Sequence, residues 1–435
     1  MRLAVVGVGG AGSRVVNQIR DRERATGRNL CDGNTLLVNS ARPTFDGTEH
    51  VPEERRLVVG DVRLGGADGD GDDPDHMAAV AREERNEINR AFDLLEFHQV
   101  GGVLVAAGLA GATGGGAGVV VLDQLAAVAD GPVYGVGVLP NESEGQRAAL
   151  HAARSLRSFV ERADNVLVFD NDAWVGPDGP VGPRPTADGA GGAADPPSDA
   201  DRATGNEGPG TPTETGPTDG RAAGPPADPA SGAYAGANAA LAERLVALFA
   251  AGEFSGTAVP ETRLDPSDVK RILDTGGVST IGYAAADVTR PAGLRARFRD
   301  VYERVFGGHD ADGDADAAHT DAAKINRLVR GAARSKLTLP CAVSSADRAL
   351  VVLSGPPGEL SRKGFESGRY WLESEADVVD VMAGDVPHDG STSLSAVVLF
   401  SNVTEVPRID RMQESGVAYR ADGPGSKPLG SADPP

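Results

Sequence analysis

Residues Gly101-Gly-Val-Leu-Val-Ala-Ala-Gly-Leu-Ala-Gly-Ala-Thr-Gly-Gly-Gly-Ala-Gly118, running on into Val119-Val-Val-Leu-Asp-Gln-Leu-Ala-Ala-Val128, decide the fold of this chain. The first six read as a buried strand and the last ten as a helix. A glycine-rich turn between strand and helix aims backbone N–H groups into a concavity. The helix N-terminus adds partial positive charge there, so the place suits phosphate. A second such loop opens the chain. Leu3-Ala-Val-Val6 is a short apolar strand, Gly7-Val-Gly-Gly-Ala-Gly12 follows, and Ser13-Arg-Val-Val-Asn-Gln-Ile19 has helical spacing. This is the G-x-G-x-x-G dinucleotide fingerprint. A dinucleotide enzyme would carry an acidic residue at the end of the next strand. Here Asn34–Val38 ends instead in Asn39-Ser40. Two phosphate loops without that carboxylate favour a mononucleotide over NAD.

The strand and helix patterns alternate further. Leu57–Val59, Val133–Leu139 and Asn165–Phe169 read as strands; Met77–Leu95 and Glu144–Ala163 read as helices. The alternation predicts a parallel sheet covered on both faces, with the loops after Val6, Ala106, Leu139 and Phe169 at its carboxyl edge. From Gly176 to Gly232 the chain has no Leu, Ile, Met, Phe, Tyr or Trp. Such a segment cannot bury enough apolar surface to offset chain entropy, so it is expected to be a disordered insertion within a domain spanning 1–250. Asn238–Ala250 is a strong helix pattern. Beyond it, an α+β domain over 251–410 is expected. Its helices are placed near Asp268–Leu273, Lys324–Arg334 and Arg362–Ser374. Its strands are placed at Gly277–Tyr283, Leu337–Val343, Arg348–Ser354 and Leu394–Phe400. Gly307–Ala322 reads as an acidic loop, and 411–435 as a disordered tail.

Composition narrows the setting. The formal charge is −21, with 63 acidic residues against 42 basic ones, only 5 of them Lys. Acidic, Lys-poor surfaces suit molar salt, where self-repulsion is screened. No basic patch points to nucleic acid. The two cysteines, Cys31 and Cys341, make neither a disulfide framework nor a zinc motif. The apolar run 101–129 is long enough to span a bilayer. Its glycines and Asp123 instead split it into strand, loop and helix, so no transmembrane segment is expected. With no leader pattern at the N-terminus, the expected location is cytoplasmic.

Four further features are chemical candidates. Glu144, in Asn141-Glu-Ser-Glu144, can accept from a ribose hydroxyl or simply favour a helix start. Asn171 offers donor and acceptor together and can read a purine edge, or make a local turn. Asn238 opens the long helix, where capping is its default role. Asp265-Pro-Ser-Asp268 places two carboxylates on one face of a helix start. They can polarise water or help to hold a cation. The same sequence is also a good cap, and it lies at the far end of the long helix from the loops.

Taken together, the chain resembles the tubulin/FtsZ superfamily, and most closely its CetZ group. The resemblance rests on the glycine loops and on several further stretches. These are His50-Val-Pro-Glu-Glu54, Val168-Phe-Asp-Asn-Asp-Ala-Trp174, Gly276-Gly-Val-Ser-Thr-Ile-Gly-Tyr283, Leu337-Thr-Leu-Pro-Cys341, Leu353-Ser-Gly-Pro-Pro357, Arg362-Lys-Gly364 and Asn402-Val-Thr-Glu-Val-Pro-Arg408. It implies a Rossmann-type α/β GTPase domain, a central helix and a smaller α+β C-terminal domain. It implies GTP or GDP as ligand with Mg²⁺, and head-to-tail self-association into filaments that serve cell shape. By position, Gly9, Gly10, Ala11, Gly12, Ser13 and Arg14 form the first phosphate loop. Gly111, Ala112, Thr113, Gly114, Gly115 and Gly116 form the second. Glu144 matches the ribose carboxylate, Asn171 and Asn238 the guanine-contacting pair, and Asp265 and Asp268 the acidic pair that completes the GTPase site of the next subunit.

There are departures. The group's second loop runs Gly-Gly-Gly-Thr-Gly-(Ser/Thr)-Gly; here Ala110 and Ala112 replace glycines, and Gly115 replaces the hydroxyl residue. Ser13, Met77 and Arg263 depart too. A Cβ at Ala112 is expected to restrict the backbone at the phosphates. Two readings follow: an active GTP-dependent polymer, or a non-hydrolysing or non-polymerising relative that co-assembles with or regulates active paralogues.

Overall fold

The computed structural model describes residues 1–60, 73–176, 179–180, 234–252, 260–288, 312–375 and 377–422. β1 (Ala4–Val8) leads into α1 (Gly9–Thr26), β2 (Thr35–Asn39) and β3 (Arg56–Val58). α2 (Pro74–Glu83) and α3 (Arg85–Phe92) precede β4 (Val103–Gly108). Then come α4 (Gly118–Val128), β5 (Val133–Leu139), α5 (Gly145–Val160), β6 (Asn165–Asp170) and a single turn, α6 (Asn171–Trp174). These six strands pair in parallel, in the order β3-β2-β1-β4-β5-β6. β1, β2, β5 and β6 are buried along their whole length, which is why they read as unbroken apolar runs rather than alternating ones. Strand order reverses between β1 and β4. Ligand crevices in such sheets open outside the carboxyl ends at that reversal, and both glycine loops leave the sheet there.

The rest of the chain extends the same sheet. β7 (Val175–Gly176) and β8 (Gly179–Pro180) form a small ladder of their own. α7 (Ala235–Phe249) is the central helix, buried on most of its circumference. It is followed by α8 (Pro266–Leu273), β9 (Val278–Asp287), α9 (Asp312–Arg334) and β10 (Ala346–Gly355). α10 (Arg362–Glu375), β11 (Asp380–Pro387), β12 (Ser393–Val403) and α11 (Pro407–Asp422) complete it. β12 pairs antiparallel with both β9 and β10, and β10 pairs parallel with β11. β9 joins β6 in parallel through Val166–Val278 and Leu167–Ser279, so one ten-stranded sheet crosses the molecule. Asn165 staples the joint. Its amide donates to the Gly276 carbonyl at 2.8 Å and accepts from Ser279 Oγ at 2.6 Å. A cation–π stack reinforces the same seam: Arg244 of α7 lies 4.5 Å from the Trp174 ring and 5.5 Å from the Tyr283 ring. Lys336 stands 4.8 Å from the Trp174 ring.

Several elements differ from the sequence expectation. The helix expected over Met77–Leu95 is two helices, because the chain bends at Glu84 (φ −93°, ψ 17°), whose carboxylate accepts from the Gly60 amide at 2.8 Å. Leu337–Val343 makes no ladder. The Thr338 amide donates to the Ile281 carbonyl at 3.0 Å, but the Thr338 and Thr280 hydroxyls then accept from the Ile281 and Leu339 amides at 2.9 Å each in place of further backbone pairs, and Pro340 has no N–H to give. Part of the expected acidic loop at 307–322 is helical from Asp312. The tail expected from 411 is helical as far as Asp422, on α11. That helix packs tightly on α5: a Cβ at Gly416 would stand 2.9 Å from the Leu150 Cα. β11 was not foreseen. Of the insertion expected at 176–232, Gly176, Gly179 and Pro180 belong to the small ladder; 177–178 and 181–232 lie outside the described residues.

Candidate functional site

A cavity of about 520 Å³ opens at the carboxyl edge of the parallel strands. Gly9, Gly10, Ala11 and Arg14 line it from α1, and Gly111, Ala112, Thr113 and Gly114 from the second loop. Glu144, Asn171 and Asn238 close the opposite side. The structure therefore gathers into one cavity residues spread over more than two hundred positions of sequence.

The floor is backbone. α1 begins at Gly9 with φ +73°, a conformation that suits glycine, and no side chain caps its first turn. Its free N–H groups and dipole make an anion site. A Cβ at Gly9 would stand 2.9 Å from the Gly114 nitrogen, so the two loops meet backbone to backbone. The second loop is one wide turn, Thr113–Ala117, in which the Gly118 amide donates to the carbonyl of Thr113, five residues back. Such turns re-aim N–H groups and recur at functional sites. Ser40 Oγ and Thr113 Oγ1 lie 2.8 Å apart, tying the end of β2 to this loop.

Two of the departures in the loops, Ala112 and Gly115, have physical explanations. Ala112 is right-handed helical (φ −57°, ψ −52°), a conformation any residue adopts, so the expected restriction at the phosphates does not arise. A Cβ at Gly115 would lie 2.5 Å from Ser155 Oγ and 2.6 Å from the Leu109 oxygen. Ser155 of α5 fills the space where a hydroxyl residue at 115 would stand. Gly12, Ser13, Gly115 and Gly116 do not line the cavity; they form the layer beneath it. A Cβ would come within 2.1 Å of the Ala106 oxygen at Gly12 and of the Pro74 oxygen at Gly116. Met77 is buried in α2, a core role.

The walls are polar and incompletely satisfied. Asn171 Oδ1, Asn39 Nδ2 and Ser13 Oγ are buried without a hydrogen-bond partner among the described residues. Leaving such an atom unpaired costs about 1–3 kcal/mol. Asn171 and Asn39 both line the cavity, so a ligand carrying donors and acceptors fits there. Glu144 Oε1 accepts from the Asn141 amide at 2.8 Å and from the Tyr234 hydroxyl at 3.0 Å. Burial, with Glu144 beside it, pushes the Tyr234 hydroxyl up to about 12. Among the lining side chains, Arg14 is the cationic one and Glu144 the acidic one. Among the described residues, no three His, Cys, Asp or Glu side chains gather to hold a metal ion.

Asn39, Ser40, Pro43, Thr44 and Tyr234 also line the cavity and were not singled out for it in the sequence. The signal for Asn39 and Ser40 was available: they end a strand at the carboxyl edge. Tyr234 carried none, because it follows the low-complexity segment.

Asp265 and Asp268 lie elsewhere. α7 begins at the cavity with Asn238, and the carbonyl of its last residue, Phe249, accepts from the N-terminal nitrogen of Met1, which precedes β1. Fifteen residues of helix span about 22 Å. α8 then leads into β9 at that same far edge. Asp268 Oδ2 accepts from the Asp265 amide at 2.8 Å, and Asp265 Oδ1 stands 3.6 Å from Arg263 Nε. The pair caps α8, and neither residue lines this chain's own cavity.

Comparison with known proteins agrees with this geometry. Residues 2–176 match the Tubulin/FtsZ family GTPase domain, and residues 228–418 match the C-terminal domain of tubulin-like CetZ. Tubulin-like protein CetZ3 of Haloferax volcanii is 37% identical, over 97% of this chain and 93% of that protein. CetZ1 of the same organism is 35% identical, over 96% and 92%. The solved GDP-bound monomer of that CetZ1 superposes with a TM-score of 0.72 and 31% identity, covering 97% of this chain and all of the other. A GTPγS-bound protofilament of H. volcanii CetZ2 gives a TM-score of 0.71 and 28% identity, over 96% and 98%.

Proposed function

The chain belongs to the tubulin-like CetZ family, and from that premise we propose that its cavity binds GTP and that subunits then stack head to tail. The observation that carries the reading is the meeting of two glycine loops at the reversal of strand order, with unpaired amide atoms of Asn171 and Asn39 on the walls. In this reading the loop amides and the N-terminus of α1 hold the phosphates, with Arg14 beside them. Bound Mg²⁺ would neutralise phosphate charge here, and it would come with the nucleotide, since no acidic cluster among the described residues gathers to hold it. Glu144 takes a ribose hydroxyl. Asn171 and Asn238 read the guanine edge.

Stacking follows from placement. The cavity and the Asp265–Asp268 pair lie at opposite ends of α7, so a translated copy presents its acidic pair to the open cavity of its neighbour. There the carboxylates polarise the water that attacks the γ-phosphate. Filaments of this kind, alone or with tubulin-like paralogues, act in the cytoplasm in control of cell shape. Asp268→Ala is expected to leave GTP affinity within about twofold and to lower turnover about a hundredfold. Mixing it with an Asn171→Ala/Asn238→Ala subunit then restores turnover, because one interface pairs an intact cavity with an intact acidic loop. A mixture no faster than the sum of its parts rejects hydrolysis across the interface.

One observation favours a second reading, binding without turnover. Both carboxylates already have local partners, in the Asp265 amide and Arg263. GTP-dependent light scattering with no phosphate release in the unmodified protein supports that reading.

A further inference from the structure

Arg408 ends the stretch Asn402-Val-Thr-Glu-Val-Pro-Arg408, which plays no part in the cavity itself. It sits on the first turn of α11, at the junction with β12, yet it is only 4% exposed. Every nitrogen of its guanidinium is committed. Nε donates to Asp170 Oδ1 at 3.1 Å, Nη1 to Glu142 Oε1 at 3.2 Å and Nη2 to the Pro140 carbonyl at 2.8 Å. Pro140 and Glu142 belong to the loop after β5 that carries Glu144. Asp170 ends β6, immediately before Asn171. The two loops are also tied directly, since Asp172 Oδ1 accepts from the Glu142 amide at 3.2 Å. Asp170 in turn fixes the α6 turn by accepting from the Asp172 amide at 3.2 Å.

We infer that Arg408 is a positioning residue for the base and ribose end of the cavity: it sets the spacing between the loop bearing Glu144 and the turn bearing Asn171. The inference rests on the guanine-nucleotide reading of the cavity. A planar fork that reaches three acceptors in three directions is a task for guanidinium; an ammonium is a single point of charge. Among the described residues no hydrogen bond joins the glycine loops to this network, so the phosphate end of the cavity is held separately from it. The clamp is supplied from the C-terminal side of the sheet. Base-side affinity is therefore linked to the seating of α11, and the linkage is reciprocal: a partner that binds α11 and changes nucleotide affinity by some factor has its own affinity changed by that factor when nucleotide binds.

The test compares three ligands, GTP, ATP and inorganic triphosphate, by calorimetry on the full chain in high salt. Arg408→Gln alone would strand the buried Asp170 carboxylate and is expected to misfold. The informative variants are Arg408→Lys and the double substitution Arg408→Gln/Asp170→Asn, which leaves no unpaired buried charge. Both are expected to lose GTP affinity about tenfold or more, and with it the preference for GTP over ATP. Triphosphate affinity is expected to stay within about twofold. Folded variants with unchanged GTP preference overturn the inference alone. So does an equal loss for GTP and triphosphate, which marks general loosening. An unmodified protein that binds triphosphate but not GTP overturns the nucleotide reading and this inference together.

Discussion

At the scale of single residues, the cavity separates positions that line it from positions that hold the loops. Asn171 is the sharpest case. Its amide oxygen is buried without a partner among the described residues, and its neighbour Asp170 is fixed by Arg408. Burial pushes the Asp170 carboxyl above its ordinary range, with Arg408 opposing the shift. Asn171→Ala removes the unpaired oxygen, so the unliganded protein should be no less stable. GTP affinity is expected to fall about ten- to a hundredfold, the worth of one or two buried hydrogen bonds to the base, measured by competition with a fluorescent nucleotide. The sequence offered Asn171 as a base reader or as part of a local turn; in the structure it opens the α6 turn and lines the cavity as well. Glu144 was legible too, but not that its Oε1 accepts from both the Asn141 amide and the Tyr234 hydroxyl. Gly115 looked like a lost hydroxyl until Ser155 was seen to occupy the space.

At the scale of elements, the two glycine loops were the most legible part of the chain, because strand, turn and helix are consecutive and local sterics dictate them. Their glycines are not equivalent. At Gly111 an added Cβ meets only the Gly108 oxygen, at 3.8 Å, whereas at Gly116 it meets the Pro74 oxygen at 2.1 Å. Gly111→Ala is therefore expected to leave the melting temperature within a degree or so of the parent. Gly116→Ala must displace α2 and is expected to cost about 1–3 kcal/mol, read as a drop of several degrees. The elements missed were those set by distant partners. The Leu337–Val343 segment reads as a strand, but it meets β9 through one backbone bond at Thr338 and two threonine hydroxyls rather than a ladder. α11 has weak amphipathic signal of its own, and is held by close backbone approach to α5 at Gly416.

At the scale of the whole molecule, charge and assembly dominate. The excess of 21 negative charges is spread over a surface whose ion pairs are mostly exposed, such as Arg157–Glu161 and Arg362–Glu366, where solvent and salt screen the attraction. Self-repulsion acts over about 3 Å at 1 M salt and about 30 Å at 0.01 M. Dialysis into dilute buffer is expected to abolish the far-ultraviolet circular dichroism of the fold, and molar KCl to preserve it. Assembly is set by the same long view. No helix among the described residues is long and apolar enough to cross a membrane. The cavity opens at one end of α7 and the acidic pair faces out at the other, which is the polarity that head-to-tail stacking needs.

By itself the sequence determined the local chemistry: which turns must be glycine, where apolar runs bury, where carboxylates start helices, and how large the net charge is. Those follow from backbone sterics, periodicity and composition, all of which act over a few residues. The tertiary structure alone decided which of these features share a cavity. It set the strand reversal between β1 and β4, the apposition of Gly9 and Gly114, the unpaired oxygen of Asn171 and the reach of Arg408 from α11 to two loops far back in the chain. Contacts between residues hundreds of positions apart leave no periodic trace, because only the packing of the finished sheet brings them within hydrogen-bond distance.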